Sequence, residues 1–319
     1  MPKIKLLDTG FDSFDYERKL FESNGYDFEV WPGEKGDVAG KKKFASDADG
    51  LLIRWTLIND DFLSAMNNLK AIARYGVGYE NIDFSSIDRF NVKAANVQGY
   101  GDHSVSDHAL SLMYACNRML LQGNNEIRET FSNPPDKRIL DFHECTLGII
   151  GLGRIGGTLS KKAVHLFRNI LAYDPYISDS RFHELGATKV PLEALMEQAD
   201  VISIHCNHTT ESENLLNEKT LGLAMRKPII INTARGPIIN EHALVKALDA
   251  HQIFSAGIDV YNTELADELP KAYLDHPSII CTGHYAWYSI QAHQELQKRA
   301  ADNLLAMLQG KTIEDCLNP

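Results

Sequence analysis

Four ionisable side chains follow predicted strands, at the edge where open α/β sheets bind their ligands. Arg235 comes after one strand, and the planar fork of an arginine can hold a carboxylate through two hydrogen bonds. His284 comes after another, and a histidine can give and take a proton near neutral pH. Asp259 and Glu264 lie at and beyond the end of a third. The set could bind a carboxylate and move a proton, although by residue type alone Arg235 is equally well a surface arginine and a structural histidine is the commoner case.

A glycine-rich turn in the middle of the chain indicates a dinucleotide site. Gly151, Gly153 and Gly156 stand in the order GxGxxG between an apolar strand and an amphipathic helical pattern. In that setting the first glycine allows a tight turn, the second lets phosphates approach the backbone, and the third lets helix and strand pack closely. The helix N-terminus then offers N–H groups to an anion. We expect a bound pyrophosphate here; the alternative is an ordinary glycine-rich turn.

Asp174 ends the next predicted strand, where a carboxylate can accept hydrogen bonds from the ribose hydroxyls of NAD. The 2′-phosphate of NADP would meet like charge there, at a cost of about 1–4 kcal/mol at contact distance. Residues 175–178 include no arginine or lysine to relieve it. The predicted cofactor is therefore NAD; the alternative is that Asp174 only caps a turn before a proline.

These side chains need a scaffold of parallel strands. Short apolar runs alternate with helical patterns along most of the chain, which predicts α/β domains with parallel sheets. In the first hundred residues we predict a helix at 60–69 and strands at 4–7, 28–30, 51–54 and 71–74. A helix is predicted at 105–121, followed by six strands at 146–150, 170–173, 201–205, 229–232, 255–259 and 279–281. An amphipathic tail from 290 to about 308 is expected to return to the first domain.

The predicted fold class is therefore α/β, with two doubly wound parallel-sheet domains. A Rossmann cofactor domain, residues 101–284, is inserted into a flavodoxin-like substrate domain formed by residues 1–100 and 285–319.

Composition excludes several classes of partner. A net charge of −11 disfavours binding to nucleic acid or to anionic membrane surfaces. No apolar run approaches the roughly 20 residues of a membrane span. Five scattered cysteines without a CxxC pair indicate reduced thiols, and so a cytoplasmic location. His205 and His208 have no third ligand in view, so no metal site is predicted.

Together these segments resemble the D-isomer-specific 2-hydroxyacid dehydrogenase family, and they occur in the family's order. The matching segments are 74–83 (RYGVGYENID), 104–109 (SVSDHA), 151–156 (GLGRIG), 232–236 (NTARG), 257–260 (GIDV) and 282–288 (TGHYAWY). Departures from the family include Gly283 where proline usually precedes the histidine, Leu265 where proline often follows the glutamate, and His208 in place of an apolar residue.

The resemblance implies roles for the strand-end residues. Arg235 would bind the carboxylate of a small 2-keto acid and polarise its keto oxygen, and His284 would protonate that oxygen. Glu264 would pair with His284 and tune its pKa. Backbone N–H groups around Val77 and Gly78 would share the carboxylate.

Further site residues are expected around these. The predicted cofactor set, besides the glycines and Asp174, consists of Val105, Arg154, Ile155, Cys206, Thr233, Ala234 and Asp259. Substrate contacts are predicted for Tyr100, for Trp287, which could equally be a core tryptophan, and for Arg54, for which a solvated strand-end charge is slightly favoured.

Two function classes stay open. The leading one is NAD-dependent interconversion of a 2-keto acid and a D-2-hydroxy acid. The other is an NADH-sensing interaction protein, because the stretch 284–289 (HYAWYS) resembles the corepressors of the same family. Family members usually dimerise through the region corresponding to 105–121, whose apolar face looks larger than one domain needs, so a homodimer is expected.

Overall fold

A computed structural model describes residues 1–129, 138–263 and 269–318. The chain divides into two compact units, one formed by Met1–Tyr100 with Ser289–Pro319 and the other by Gly101–Tyr288. The sequence placed the second boundary slightly earlier, between residues 284 and 285. The last helix begins directly after Ser289, whose hydroxyl accepts the N–H of Ala292 and so caps it.

The first unit contains a five-stranded parallel sheet in the order β2-β1-β3-β4-β5. Its strands are β1 (Lys3–Leu6), β2 (Asp27–Val30), β3 (Gly50–Ile53), β4 (Ala71–Arg74) and β5 (Lys93–Ala95). Its N-terminal helices are α1 (Asp15–Ser23), α2 (Val38–Ala45), α3 (Asp60–Leu63) and α4 (Phe84–Arg89). The central strands are nearly continuous apolar runs, as expected for parallel strands covered on both faces. This order is the flavodoxin-like one.

One expectation for this unit was wrong, and one of its strands was not predicted. The helix predicted over 60–69 ends at Leu63, because the chain turns there and both the backbone and the side chain of Asn67 donate to the carbonyl of Ser46. The spacing of the apolar residues Leu63, Met66 and Leu69 is typical of a helix, but only Leu63 is helical and the other two lie in the turn that follows. Strand β5 was not predicted from the sequence, because its three residues carry no branched or aromatic side chain.

The second unit contains a seven-stranded parallel sheet in the order β12-β11-β10-β9-β6-β7-β8. Its strands are β6 (Thr146–Ile150), β7 (Asn169–Tyr173), β8 (Thr188–Lys189), β9 (Val201–Ile204), β10 (Ile229–Asn232), β11 (Ser255–Ile258) and β12 (Ile279–Cys281). Its helices are α5 (Asp102–Asn117), α6 (Leu120–Glu129), α7 (Arg154–Ala163), α8 (Asp179–Glu184), α9 (Leu192–Gln198), α10 (Glu218–Leu221), α11 (Glu241–Asp249) and α12 (Lys271–Leu274). The strand order reverses between β6 and β9, as in a Rossmann sheet. Together the two sheets confirm the predicted fold class.

Three details of the second unit differ from expectation. The sheet has seven strands instead of the six predicted. The additional edge strand β8 consists of two exposed polar residues, so no apolar pattern indicated it. The helix predicted over 105–121 is two helices, because Met119 adopts a left-handed conformation (φ 52°) that interrupts it. His205 and Asp259, like Arg54 of the first unit, each lie one residue beyond the strand in which they were predicted.

Helix α13 (Ile290–Leu308) completes the first unit, where it packs against β3, β4 and β5. Its buried stripe includes Leu296, Ala300 and Leu304, as the amphipathic pattern predicted. No helix in the described ranges combines the length and apolar character needed to cross a membrane. Across the same ranges, no three histidine, cysteine or acidic side chains are grouped as a metal site would require.

Candidate active site

The glycine turn sits at the point where the strand order of the second sheet reverses. Gly151 follows β6 with φ +89°, and a Cβ there would lie 2.4 Å from the backbone nitrogen of Cys206, which follows β9. A Cβ at Gly156 would lie 2.1 Å from the carbonyl oxygen of Gly151. Nothing lies within 4 Å of the position of a Cβ at Gly153. Two of the glycines are therefore required by packing, and the third leaves open space at the N-terminus of α7.

A cleft of about 250 Å³ opens beside this turn. It is lined by the turn itself and by the segments that follow β7 and β9, among them Gly151, Gly153, Asp174, Cys206 and Glu211. The carboxylate of Asp174 accepts the N–H of Leu152 through Oδ2 and that of Tyr176 through Oδ1, each at 2.9 Å. Asp174 therefore holds the turn while lining the cleft. Since a carboxylate oxygen can accept a second hydrogen bond, the capping role and a ribose role are compatible.

His205 forms part of the cleft wall in a neutral state. Its Nε2 lies 2.8 Å from Ser203 Oγ, and its Nδ1 is buried with no partner in the described residues. Burial lowers the pKa of His205 to about 3, from an ordinary value of 6.5. Burial likewise raises the pKa of the Cys206 thiol to about 11, so neither of these two side chains is charged at neutral pH.

The low pKa of His205 predicts a pH-dependent loss of stability. Between pH 6.5 and about 3 the unfolded chain binds a proton that the folded chain does not, so stability falls with decreasing pH, by up to about 1.4 kcal/mol per pH unit. Between pH 7 and 4 we expect the melting temperature of His205→Asn to fall less than that of the wild type. His183→Asn, at an exposed position, serves as the control. Equal losses in wild type and His205→Asn would contradict the assignment.

The Arg235 loop is fixed from within and from the neighbouring strand end. Asn232 accepts the N–H of Ala234 through Oδ1 and donates to the carbonyl of Arg235 through Nδ2, at 3.0 and 2.9 Å. A Cβ at Gly236 would lie 2.0 Å from the carbonyl carbon of Tyr261, so only glycine fits. The half-buried Arg235 side chain is thus presented at the carboxyl end of β10 by a rigid turn.

Asp259 organises the loop that carries His284. Its carboxylate is fully buried and accepts hydrogen bonds from Thr282 Oγ1 (2.5 Å) and from the N–H groups of Tyr285 (3.2 Å) and Ala286 (3.0 Å). Its carbonyl accepts the N–H of His284 at 2.9 Å. In the described structure Asp259 therefore acts as an internal anchor, a role that the sequence did not predict when it placed this residue in the cofactor set.

His284 itself has φ +53°, a conformation uncommon for residues other than glycine. Such strain persists only where surrounding contacts impose it, and it concentrates at functional sites. The contacts of Asp259 provide that constraint.

His108 is a site residue that sequence reasoning missed. It lies on α5, yet its Nε2 is 3.1 Å from Thr282 Oγ1 and 3.7 Å from Asp259 Oδ1, and its ring meets Tyr285 edge-on at 5.2 Å. Burial lowers the pKa of His108, while the charge of Asp259 acts in the opposite direction. The only sequence signal was its place in segment 104–109, in which a role had been given to Val105 but not to His108.

Trp287 closes the same loop. Its indole Nε1 donates to the carbonyl of His284 at 3.1 Å, and its ring meets Tyr288 edge-on at 5.6 Å. The side chain is half-buried. Trp287 therefore supports the His284 loop, and its substrate role stays a prediction.

Of the predicted substrate residues of the first unit, Arg54 follows β3, Val77 and Gly78 follow β4, and the half-buried Tyr100 follows β5. Arg54 stacks over Trp55, with its Cζ 4.6 Å from the ring centroid, and burial lowers its pKa, while the electrostatic effects of Tyr100 and Asp8 oppose this. The Oδ2 of buried Asp8 accepts the N–H groups of Arg54 (2.7 Å) and of the next two residues (both 2.8 Å). Val77 is exposed in the loop after β4.

Other predicted residues are placed as follows. Glu264 lies outside the described residues. Arg154 is exposed and Ile155 half-buried at the start of α7, and Val105 is buried in the first turn of α5. Ala234 is half-buried, whereas Thr233 Oγ1 is buried with no hydrogen-bond partner in the described part of the chain.

Comparison with known proteins places this geometry in a family. The family model for the NAD binding domain of D-isomer specific 2-hydroxyacid dehydrogenases matches residues 110–286, more than half of the chain. The D-3-phosphoglycerate dehydrogenase of Mycobacterium bovis is 30% identical over 273 residues, which are 85% of this chain and 51% of that protein. The chain thus spans about half the length of that curated relative.

Two solved structures are similar over nearly their whole length. The TT0316 protein from Thermus thermophilus has a TM-score of 0.88 at 27% identity, covering 99% of both chains. D-mandelate dehydrogenase from Rhodotorula graminis has a TM-score of 0.87 at 26% identity, covering 100% of this chain and 98% of that one. The chain belongs to the D-isomer specific 2-hydroxyacid dehydrogenase family, and its second unit carries the NAD-binding domain.

Proposed function

We propose that the protein interconverts a small 2-keto acid and the corresponding D-2-hydroxy acid with NADH or NAD. The observation that carries this proposal is the loop after β12, where buried Asp259 holds His284 in a left-handed conformation. Arg235 and the glycine turn lie at the carboxyl edge of the same sheet, after β10 and β6. A proton donor, a carboxylate binder and a dinucleotide turn thus share one edge.

The residues present fit the cofactor. The open space at Gly153 and the tight turn at Gly151 suit a pyrophosphate at the N-terminus of α7, and Asp174 lines the adjacent cleft. When bound, NADH supplies the hydride that reduces the keto carbon.

The protein's own residues bind the substrate and transfer the proton. Arg235 binds the carboxylate of the keto acid through its guanidinium and polarises the keto oxygen, and His284 donates the proton that this oxygen takes up. In the oxidation direction, His284 receives the proton back. Val77 and Gly78 offer backbone N–H groups to the carboxylate. We retain Glu264 as the partner of His284 on the strength of the family resemblance.

The variable group of the substrate is assigned to Arg54, Tyr100 and Trp287. Trp287 would offer an aromatic face to an apolar group, whereas the guanidinium of Arg54 favours an anionic one. Two of the similar proteins, a D-mandelate and a D-3-phosphoglycerate dehydrogenase, illustrate these two chemistries. A panel of 2-keto acids with small apolar, aromatic and anionic groups, assayed by NADH consumption, tests the proposal. Tight NADH binding without turnover of any member would favour an NADH sensor.

Replacing Asp174 with alanine is expected to weaken discrimination against NADPH by at least about tenfold, because the like charge facing a 2′-phosphate is removed. The measurement is the ratio of kcat/KM for NADH and NADPH. Asp179→Ala is the matched control, since this exposed carboxylate in α8 pairs with Lys189 outside the cleft. An unchanged ratio in Asp174→Ala would remove the ribose assignment.

The homodimer stays a proposal, but its original argument changes. Ala109, Leu112, Met113 and Cys116 of α5 are buried in the core of their own unit, so they are not a spare apolar face. Exposed apolar side chains in this region instead include Tyr114, Leu120 and Leu121. We propose these as part of the contact with a second copy. The cytoplasmic location likewise stays a prediction.

A further inference from the structure

Glu17 is a fully buried carboxyl group in the first turn of α1. Its oxygens accept hydrogen bonds from two other elements of the first unit. Tyr75 Oη donates to Oε1 at 2.8 Å, and Gln297 Nε2, from α13, donates to Oε2 at 3.0 Å. Burial raises the pKa of Glu17, and these hydrogen bonds oppose the rise. A buried carboxyl group is costly unless it is hydrogen-bonded, and these two contacts hold Glu17 at the junction of α1, α13 and the end of β4.

Tyr75 joins this network to the loop that follows β4. Its side chain is fully buried, and its ring lies 4.7 Å from the ring of Phe11. Its backbone N–H donates to the carbonyl of Ile53 at 2.8 Å. The tyrosine directly precedes Gly76, whose φ of +133° turns the chain into the Val77–Gly78 segment.

The loop beyond Tyr75 is tethered through its carbonyl groups. The carbonyl of Gly76 accepts the N–H of Val97 at 3.0 Å, and the carbonyl of Val77 accepts Asn96 Nδ2 at 2.6 Å. These contacts fix the far side of the loop without using its N–H groups. The Tyr75 hydroxyl fixes the near side, where the loop leaves the sheet.

We propose that Glu17, acting through Tyr75, is a positioning residue that sets the Gly76–Gly78 loop for the carboxylate of the substrate. This inference rests on the proposed function, which assigns the N–H groups of that loop to the carboxylate. Gln297 extends the network, because its Nε2 also donates to the carbonyl of Ser13 at 2.7 Å and so connects α13 with the segment before α1. Small displacements of binding groups are costly because productive geometry is narrow.

Kinetics of matched variants tests the proposal. We expect Tyr75→Phe and Glu17→Leu to raise the KM for the keto acid about three- to tenfold, with kcat and the Kd of NADH changed less than about twofold. Glu17→Gln should keep a KM near the wild-type value, since its amide oxygen can still accept the Tyr75 hydroxyl. Glu22→Gln, on the exposed face of the same helix, is the control. A merely structural role would lower the melting temperature and the active fraction without moving KM.

Amide hydrogen exchange at Tyr75 and Val97, whose N–H groups donate to the carbonyls of Ile53 and Gly76 at the two sides of the loop, separates this proposal from the proposed function. With an active wild type, an unchanged KM in Tyr75→Phe overturns the positioning role. If the wild type turns over no keto acid, the proposed function fails, and amide hydrogen exchange then tests the positioning role by itself. Faster exchange of these two amides in Tyr75→Phe but not in Glu22→Gln then supports the positioning role, and equal exchange in both variants overturns it.

Discussion

His284→Ala is expected to lower kcat by about 10²- to 10⁴-fold while the affinity for NADH stays close to that of the wild type. The imidazole is the group we assign to proton transfer at the keto oxygen. The glycine turn and Asp174, to which we assign cofactor binding, lie on other strand ends. Steady-state kinetics with a saturating keto acid gives kcat, and fluorescence titration with NADH gives the Kd.

The conformation of His284 makes the choice of control important. Alanine at φ +53° carries backbone strain that glycine and asparagine tolerate better. His251→Ala is the matched control, because His251 is an exposed histidine of the same unit with φ +54°. It should keep its kcat. His284→Asn, which suits a left-handed backbone, should be as inactive as His284→Ala; activity retained in either variant would refute the acid–base assignment.

The glycine turn was predictable because its requirements are local. A positive φ at Gly151 and the absence of space for a Cβ at Gly151 and Gly156 are consequences of a strand meeting a helix in a tight turn. The residue types and their spacing state that requirement directly. The position of Asp174 was predictable for the same reason, since it directly follows the next strand of the same βαβ unit, and its ribose contact stays a prediction.

The anchoring of His284 was not predictable, because it depends on contacts between distant parts of the chain. Spacing placed Asp259 at a strand end but did not show that its carboxylate turns inward to Thr282, Tyr285 and Ala286. His108 reaches the same cluster from a helix more than 150 positions earlier. The residue types gave no sign of this meeting.

The apolar pattern also led to a wrong prediction where the local backbone conformation overrode it. The apolar spacing in 105–121 was helical throughout, yet Met119 turns left-handed and divides it. Only the packing of α5 against α7, β10 and β11 shows which of its apolar residues belong to the core.

The Arg235 loop combines both kinds of information. Its glycine and its position after a strand are local features, but the collision of a Gly236 Cβ with Tyr261 shows that the neighbouring strand end sets its path. Asn232 closes the turn on both sides. An arginine presented this rigidly loses little freedom on binding, which suits it to a planar carboxylate.

Arg235→Ala is therefore expected to lower kcat/KM for the keto acid by about 10²- to 10³-fold, with a higher KM and a lower kcat. Both parameters change because the guanidinium holds the carboxylate before reaction and stabilises the charge that develops on the keto oxygen. Arg235→Lys should recover part of KM but little of kcat, since an ammonium group cannot reproduce the fork. Arg181→Ala, which removes an exposed arginine paired with Glu184 on α8, is the control and should change neither parameter. A kcat/KM for Arg235→Ala within about twofold of the wild type would show that another group binds the carboxylate.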